Sequence, residues 1–95
     1  MKLKGREQLE PFQKRHKDAK KPLEAWEKLI TGKDYKHFAD LKNAFGSADY
    51  VKPHTVFDIS GNKYRLISLV VYQANLVSIE DILTHKEYDK GKWGK

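Results

Sequence analysis

Gly61-Asn62-Lys63-Tyr64-Arg65-Leu66 is predicted to make a tight turn and to open the central strand of a sheet. The Gly-Asn pair lies between two runs rich in β-forming residues, 55–60 and 63–72, a pattern typical of a β-hairpin. If the pair forms a two-residue loop, facing residues have numbers that sum to 123, and Asp58 faces Arg65. The stretch therefore sets the register of the sheet.

A second break at 73–75 returns the chain along a third strand, with partner numbers that sum to 148. This register sets Leu83 opposite Arg65 and His85 opposite Lys63. Because side chains alternate between the faces of a strand, Lys63, Arg65 and His85 are expected on one face at one end of the sheet. Two cations and an imidazole meet there, and this group is the candidate site. A slip of one residue in either turn would scatter it.

The length and composition indicate a single soluble domain over residues 1–95, with 91–95 as a weakly ordered tail. No run approaches the roughly 20 apolar residues of a membrane span, and the lysine-rich start lacks the apolar segment of a signal peptide. A cytoplasmic protein without membrane contact is expected. The absence of cysteine excludes disulfides and thiolate chemistry.

The net charge of +6 is unevenly distributed. Residues 1–22 carry eight Lys and Arg against three Asp and Glu, whereas residues 23–85 carry seven against eight. Such asymmetry favours an anionic partner, with nucleic acid ahead of acidic protein or a membrane surface. The alternative is that clustered lysines only keep a helix soluble.

The first helix is predicted over about 5–17, where Leu9 and Phe12 are spaced for one apolar face. Its opposite face carries a basic strip suited to phosphates. With Asn62 at the turn, the predicted RNA- or ribosome-binding residues are Arg6, Lys14, Arg15, Lys17 and Asn62. His16, at the end of this helix, is expected to cap or pack rather than to catalyse.

A second helix is predicted from Pro22 to Gly32, and a third from Phe38 to Phe45. Trp26 lies on the apolar stripe of the second helix, which favours a core position over a base-stacking platform. The fold class is therefore α/β of the α+β type: an N-terminal helical hairpin and a short third helix packed on a small, twisted, mainly antiparallel sheet.

No phosphate loop, dinucleotide fingerprint, zinc spacing or nucleophile elbow occurs in the sequence. The four histidines lack metal-ligand spacing, so neither a metal site nor a cofactor is expected. The residues left to carry chemistry, and hence the candidate catalytic set, are Lys63, Arg65, His85, Tyr88 and Lys90.

This set suits the cleavage of RNA by its own 2′-hydroxyl group. His85 could act as acid or base, because imidazole titrates near neutral pH. Arg65 and Lys63 could stabilise charge on the phosphate, and Tyr88 could stack on a base. In the structural alternative, Arg65 pairs with Asp58, and His85 and Tyr88 only close the C-terminal turn.

Three segments together resemble the HigB-type toxins of type II toxin–antitoxin systems. They are 61–66, the Thr84-His85-Lys86-Glu87-Tyr88-Asp89-Lys90 run, and the N-terminal pattern Arg6…Leu9…Phe12…Arg15-His16…Asp18-Ala19…Pro22-Leu23…Trp26. The resemblance extends from about Gly5 to Lys90.

The resemblance implies a RelE-like fold and a metal-independent endoribonuclease that cuts mRNA on the ribosome. It also implies silencing by a HigA-type helix-turn-helix antitoxin, a complex that binds operator DNA, and a first helix that faces ribosomal RNA. The same five residues, from Lys63 to Lys90, would then face the mRNA. A non-catalytic RNA-binding module and a relic that only binds antitoxin are the alternatives.

Overall fold

The computed structural model describes residues 1–91 and Trp93. Within them the strands, in chain order, are β1 Lys2–Lys4, β2 Asp49–Val51, β3 His54–Ile59, β4 Tyr64–Val71 and β5 Leu76–Thr84. They form one sheet in the order β1-β5-β4-β3-β2. β1 runs parallel to β5, and all the other neighbours are antiparallel. The predicted small, mainly antiparallel sheet is confirmed.

The helices, in chain order, are α1 Leu9–Arg15, α2 Lys20–Thr31, α3 Phe38–Ala44 and α4 His85–Asp89. The predicted first helix is shorter than expected, because its first residues form a separate 3-10 turn, Arg6–Gln8. α2 begins two residues before Pro22, which its first turn tolerates because the N–H groups there have no helical partner. The predicted third helix is α3, which ends at Ala44.

One face of the sheet carries the main core. Leu9, Phe12 and Trp26 are buried as predicted, together with Ile30, and the Trp26 ring packs edge-on against Phe57 of β3 with centroids 5.3 Å apart. Arg6, just before α1, contacts Glu27 near the end of α2 at 3.2 Å. α1 and α2 therefore run antiparallel, as the expected helical hairpin requires.

The other face of the sheet is partly covered by the end of the chain. Val56 and Ile67, which face each other across β3 and β4, are buried there. α4 contacts β4 and β5, and Trp93 contacts His54 of β3 at a ring distance of 5.6 Å. In the described ranges, 1–91 and 93, no helix has the length and apolar character needed to cross a bilayer.

Candidate active site

The hairpin between β3 and β4 has the predicted register. Asp58 faces Arg65 and Val56 faces Ile67. The loop itself is longer than predicted: β3 ends at Ile59 and β4 begins at Tyr64, so four residues connect them. Ser60 and Gly61 both adopt positive φ, 55° and 66°, which turns the chain before Asn62. The prediction of a two-residue loop is wrong, although the β3–β4 register that it gave is correct.

The pairing of β4 with β5 is as predicted at the site and shifted away from it. Arg65 faces Leu83, as expected, but Val71 rather than Tyr72 faces Leu76 at the far end. The register changes by one residue between Ile67 and Ser68, where β5 contains one extra residue. This bulge restores the predicted pairing before the strand reaches the site.

Arg65 is the centre of the site, with only 8% of its surface exposed. Its Nε lies 3.2 Å from Asp58 Oδ1 in an ion pair, and its Nη2 donates to Asn62 Oδ1 at 2.6 Å. Its Nη1 donates to two backbone carbonyl oxygens, those of Asn62 at 3.3 Å and Tyr64 at 3.1 Å. The expected alternative contact between Arg65 and Asp58 is therefore present, and the two charges offset each other.

His85 stands beside Arg65 because β5 runs directly into α4 there. Thr84 caps α4 by accepting from the Glu87 backbone N–H at 3.2 Å, while Glu87 accepts from the Thr84 backbone N–H at 2.9 Å. The His85 backbone N–H donates to the Lys63 carbonyl at 2.8 Å, as the predicted pairing of these residues requires. Its Nδ1 lies 2.9 Å from Arg65 Nη2, and its Nε2 lies 3.1 Å from Asp89 Oδ2.

Tyr88 adds an aromatic face to the site. The Arg65 guanidinium carbon lies 5.6 Å from its ring centroid, and Trp93 stacks on it at 5.0 Å with an angle of 15° between the rings. Burial raises the pKa of the Tyr88 hydroxyl, so this group is protonated at neutral pH. Of the predicted weakly ordered tail, residues 92, 94 and 95 lie outside the described residues.

Lys63 belongs to the loop and not to β4, so strand alternation does not fix its direction. Its Nζ lies 2.8 Å from Asp18 Oδ2, in the connector between α1 and α2. The structure therefore brings Arg65 and His85 together as predicted but pairs the Lys63 ammonium with the helical layer.

Lys90 follows α4 at the rim of the site. It lines a shallow cavity of about 370 Å³ with Asp81, Leu83, Glu87 and Trp93. Carboxylates accompany the cations here, so the site is mixed in charge rather than uniformly basic.

The predicted basic strip on α1 is divided. Lys14, Arg15 and Lys17 are exposed, and Lys14 and Lys17 line a cavity of about 390 Å³ together with Lys20. Arg6 lies elsewhere, in a groove whose lining includes Glu24 and Glu27. Asn62 accepts hydrogen bonds from Arg65 through both its side-chain oxygen and its backbone oxygen.

Three residues of the site were missed by the sequence analysis: Asp89, Trp93 and Asp18. Asp89 follows His85 at the i,i+4 spacing of a helical pair, a signal that could have identified it. Trp93 belongs to the segment 91–95, which the sequence predicts to be a weakly ordered tail. Asp18 contacts a residue 45 positions away, and no local pattern indicates such a contact.

The fold and site define a small α+β domain with a half-buried Arg-His cluster at the end of an antiparallel sheet. The family model described as the RelE-like toxic component of a toxin–antitoxin system, HigB toxin, matches residues 19–91. The chain belongs to this family. The match includes β3, β4, β5 and α4, which together supply the Arg65–His85 cluster.

Individual relatives agree with the family match. The chain is 36% identical over 58 residues to the mRNA interferase toxin HigB of Escherichia coli K12. It is equally similar to proteins named mRNA interferase HigB from Escherichia coli O157:H7 and Shigella flexneri. Each alignment covers 58% of this chain and 56% of the relative, so the chain matches about half the length of these curated proteins.

Proposed function

We propose that this chain is the toxin of a type II toxin–antitoxin pair and that it inhibits translation by cutting mRNA. The observation that carries the proposal is the Arg65–His85–Tyr88 cluster inside the segment that matches the toxin family. The relatives named mRNA interferase support the same activity. The proposed site of action is the cytoplasm.

The proposed reaction is attack of the RNA 2′-hydroxyl on the adjacent phosphorus. It needs a proton acceptor, positive charge near the phosphate and a surface that holds the base, but it needs no metal ion. The cluster combines ionisable groups with the Tyr88 ring, and Lys90 and Lys63 stand at its edges. These five residues form the proposed mRNA-facing set.

The proposed dependence on the ribosome follows from the burial of Arg65, the central cation of the cluster. The guanidinium of Arg65 is buried and paired with Asp58, so the site attracts free RNA weakly. A ribosome that delivers the mRNA in a fixed orientation would supply the missing positioning. The exposed cations of α1, Lys14, Arg15 and Lys17, are the proposed contact with ribosomal RNA.

The proposed protein partner is a HigA-type helix-turn-helix antitoxin, and the toxin–antitoxin complex is proposed to bind operator DNA. Membership of a toxin–antitoxin family supports the antitoxin.

Mapping of new mRNA 5′ ends tests the proposal. The wild type and His85→Ala are expressed briefly in a bacterium, with His37→Ala as the control because His37 is an exposed residue at the start of α3. New 5′ ends are expected inside translated frames for the wild type and the control, and not for His85→Ala. A reporter mRNA without its start codon should stay intact if cleavage requires the ribosome.

The paired charge of Arg65 also favours a second candidate, a protein that binds RNA or antitoxin without cutting. Growth arrest by the wild type without new 5′ ends would support this candidate and exclude the nuclease. Retained antitoxin binding by His85→Ala, with cleavage lost, would support the nuclease.

A further inference from the structure

All three nitrogen atoms of the Arg65 side chain contact groups within the protein. The guanidinium group has five N–H donors. The four on Nη1 and Nη2 go to three oxygens of Asn62 and Tyr64 and to His85 Nδ1, and Nε lies 3.2 Å from Asp58 Oδ1 in an ion pair. In this arrangement the two terminal nitrogens of Arg65 cannot hold a phosphate without first breaking one of these hydrogen bonds.

This arrangement fixes the proton on the His85 ring. A guanidinium group can only donate, so the Nδ1 that faces Arg65 must accept. A neutral imidazole with Nδ1 as acceptor carries its proton on Nε2. Asp89 Oδ2 lies 3.1 Å from that Nε2. Nδ1 accepts from Arg65 and Nε2 carries the ring proton, so neither nitrogen has a free lone pair with which to take a proton from RNA.

The three side chains form a line that leads from the interior to solvent. The side-chain exposure is 10% for Arg65, 44% for His85 and 59% for Asp89. The outermost group is thus a carboxylate, held by an imidazole that is itself held by a buried cation. A carboxylate oxygen can accept a proton, and half of the Asp89 side chain is open to an incoming substrate.

We propose that Asp89 is the proton acceptor of the reaction and that Arg65 and His85 are positioning residues that hold its carboxylate; this assignment rests on the proposed nuclease function. Asp89 takes the proton of the 2′-hydroxyl as the 2′-oxygen forms its bond to phosphorus. The bond from phosphorus to the 5′-oxygen breaks, and that oxygen takes a proton from water. The products are a 2′,3′-cyclic phosphate and a 5′-hydroxyl, and Asp89 returns its proton to solvent.

Two substitutions of His85 separate positioning from proton transfer. The amide of His85→Gln can donate to Asp89 and accept from Arg65, but it cannot act as an acid or a base near neutral pH. In an mRNA cleavage assay with translating ribosomes, His85→Gln should keep at least about a tenth of the wild-type rate. Asp89→Asn and His85→Ala should each lose about 100-fold or more. Glu80→Gln, which removes an exposed carboxylate from the neighbouring strand, is the control and should stay within about twofold.

A His85→Gln protein that is folded and as slow as His85→Ala would assign proton transfer to His85 and overturn the proposal. Ring ¹⁵N chemical shifts give an independent measurement on the free protein. They should show His85 with a proton on Nε2 and none on Nδ1, and a proton on Nδ1 would also overturn it. If the wild type cleaves no mRNA, the proposed function itself is wrong. If the wild type cleaves mRNA and Asp89→Asn cleaves it at the same rate, only the assignment of Asp89 is wrong.

Discussion

Asp18 links the connector after α1 to the hairpin loop of the site. Its carboxylate accepts from Lys63 Nζ at 2.8 Å and from the Tyr64 hydroxyl at 2.6 Å, which joins the hairpin loop to the connector after α1. The hydrogen bond from Lys63, followed by that from Tyr64, lowers the pKa of Asp18. The same contact with Asp18 is the largest cause that raises the pKa of Tyr64 to about 12.

The two shifts define the pH range in which this cluster stabilises the fold. The lowered pKa of Asp18 gives a contribution that is present above the unfolded value of about 4 and lost as the pH falls through the folded value. The raised pKa of Tyr64 gives a contribution that is present below about 10 and lost as the pH rises toward about 12. The cluster therefore stabilises the protein most between these limits.

A residue-specific titration of the tyrosines by NMR tests this linkage. Tyr64 should lose its proton near pH 12, and Asp18→Ala should move its pKa toward the ordinary value of about 10, because the carboxylate acceptor is gone. Tyr64→Phe identifies the resonance. A Tyr64 that titrates identically with and without Asp18 would show that burial, and not this hydrogen bond, sets its pKa.

At the scale of elements, local patterns predicted most of the fold, and contacts between distant elements did not follow from them. Gly61-Asn62 predicted the β3–β4 register because a hairpin turn and its alternating strands are neighbours in sequence. The β5 register was right at Arg65 only because an extra residue in the strand offsets a shift at the far loop. Such a bulge has no marker in the sequence, since Glu80 is an ordinary exposed strand residue.

The same distinction explains the outcome for the candidate site. Arg65, His85 and Tyr88 lie on elements whose pairing or helical spacing can be read from neighbouring residues, and the structure brings them together. Lys63 was misplaced because its partner, Asp18, comes from a connector 45 residues earlier. Sequence periodicity describes one element at a time and therefore does not predict that contact.

Gly5 joins β1 to the 3-10 turn Arg6–Gln8 and lies against β5. Its φ is +84°, and a Cβ atom there would lie 2.4 Å from the Ile79 carbonyl oxygen. Gly5→Ala should lower the free energy of unfolding by about 2 kcal/mol or more, because backbone strain and a clash with backbone act together. Urea denaturation measures this change.

Gly46→Ala is the matched control for Gly5→Ala. An added Cβ there meets nothing within 4 Å, and the φ of Gly46 is not in the left-handed region. Its free energy of unfolding should stay within about 0.5 kcal/mol of the wild type. Equal effects of the two substitutions would contradict the close approach of Gly5 to β5.

At the scale of the whole molecule, two exposed cations, Arg15 at the end of α1 and Lys17 just after it, lie near the elements that form the site. Lys17 precedes Asp18, which holds Lys63 of the hairpin loop. Glu87, in the first turn of α4, has a lowered pKa mainly because it accepts from the Thr84 backbone N–H, and the charge of Arg15 contributes to the shift. The end of α1 and the connector after it therefore lie near the hairpin loop and α4, with Arg15 and Lys17 on that side.

This placement predicts that RNA binding depends on where the positive charge lies, and not only on the net charge of +6. The triple substitution Lys14→Ala, Arg15→Ala and Lys17→Ala should weaken binding of a labelled single-stranded RNA. It should also reduce the slope of log affinity against log salt by about 2, since each phosphate contact contributes about 0.7. Fluorescence anisotropy over a series of salt concentrations measures both quantities.

The control for this triple variant is Lys28→Ala, Lys33→Ala and Lys36→Ala, which removes the same charge from the far end of α2 and the segment after it. These exposed lysines lie more than a Debye length, about 8 Å at physiological salt, from the start of α2, because a 12-residue helix is about 18 Å long. The control should leave the salt slope nearly unchanged. Equal losses of RNA affinity in the two triple variants would mean that RNA binding depends on net charge alone. This result would contradict the proposed contact of the end of α1 with ribosomal RNA.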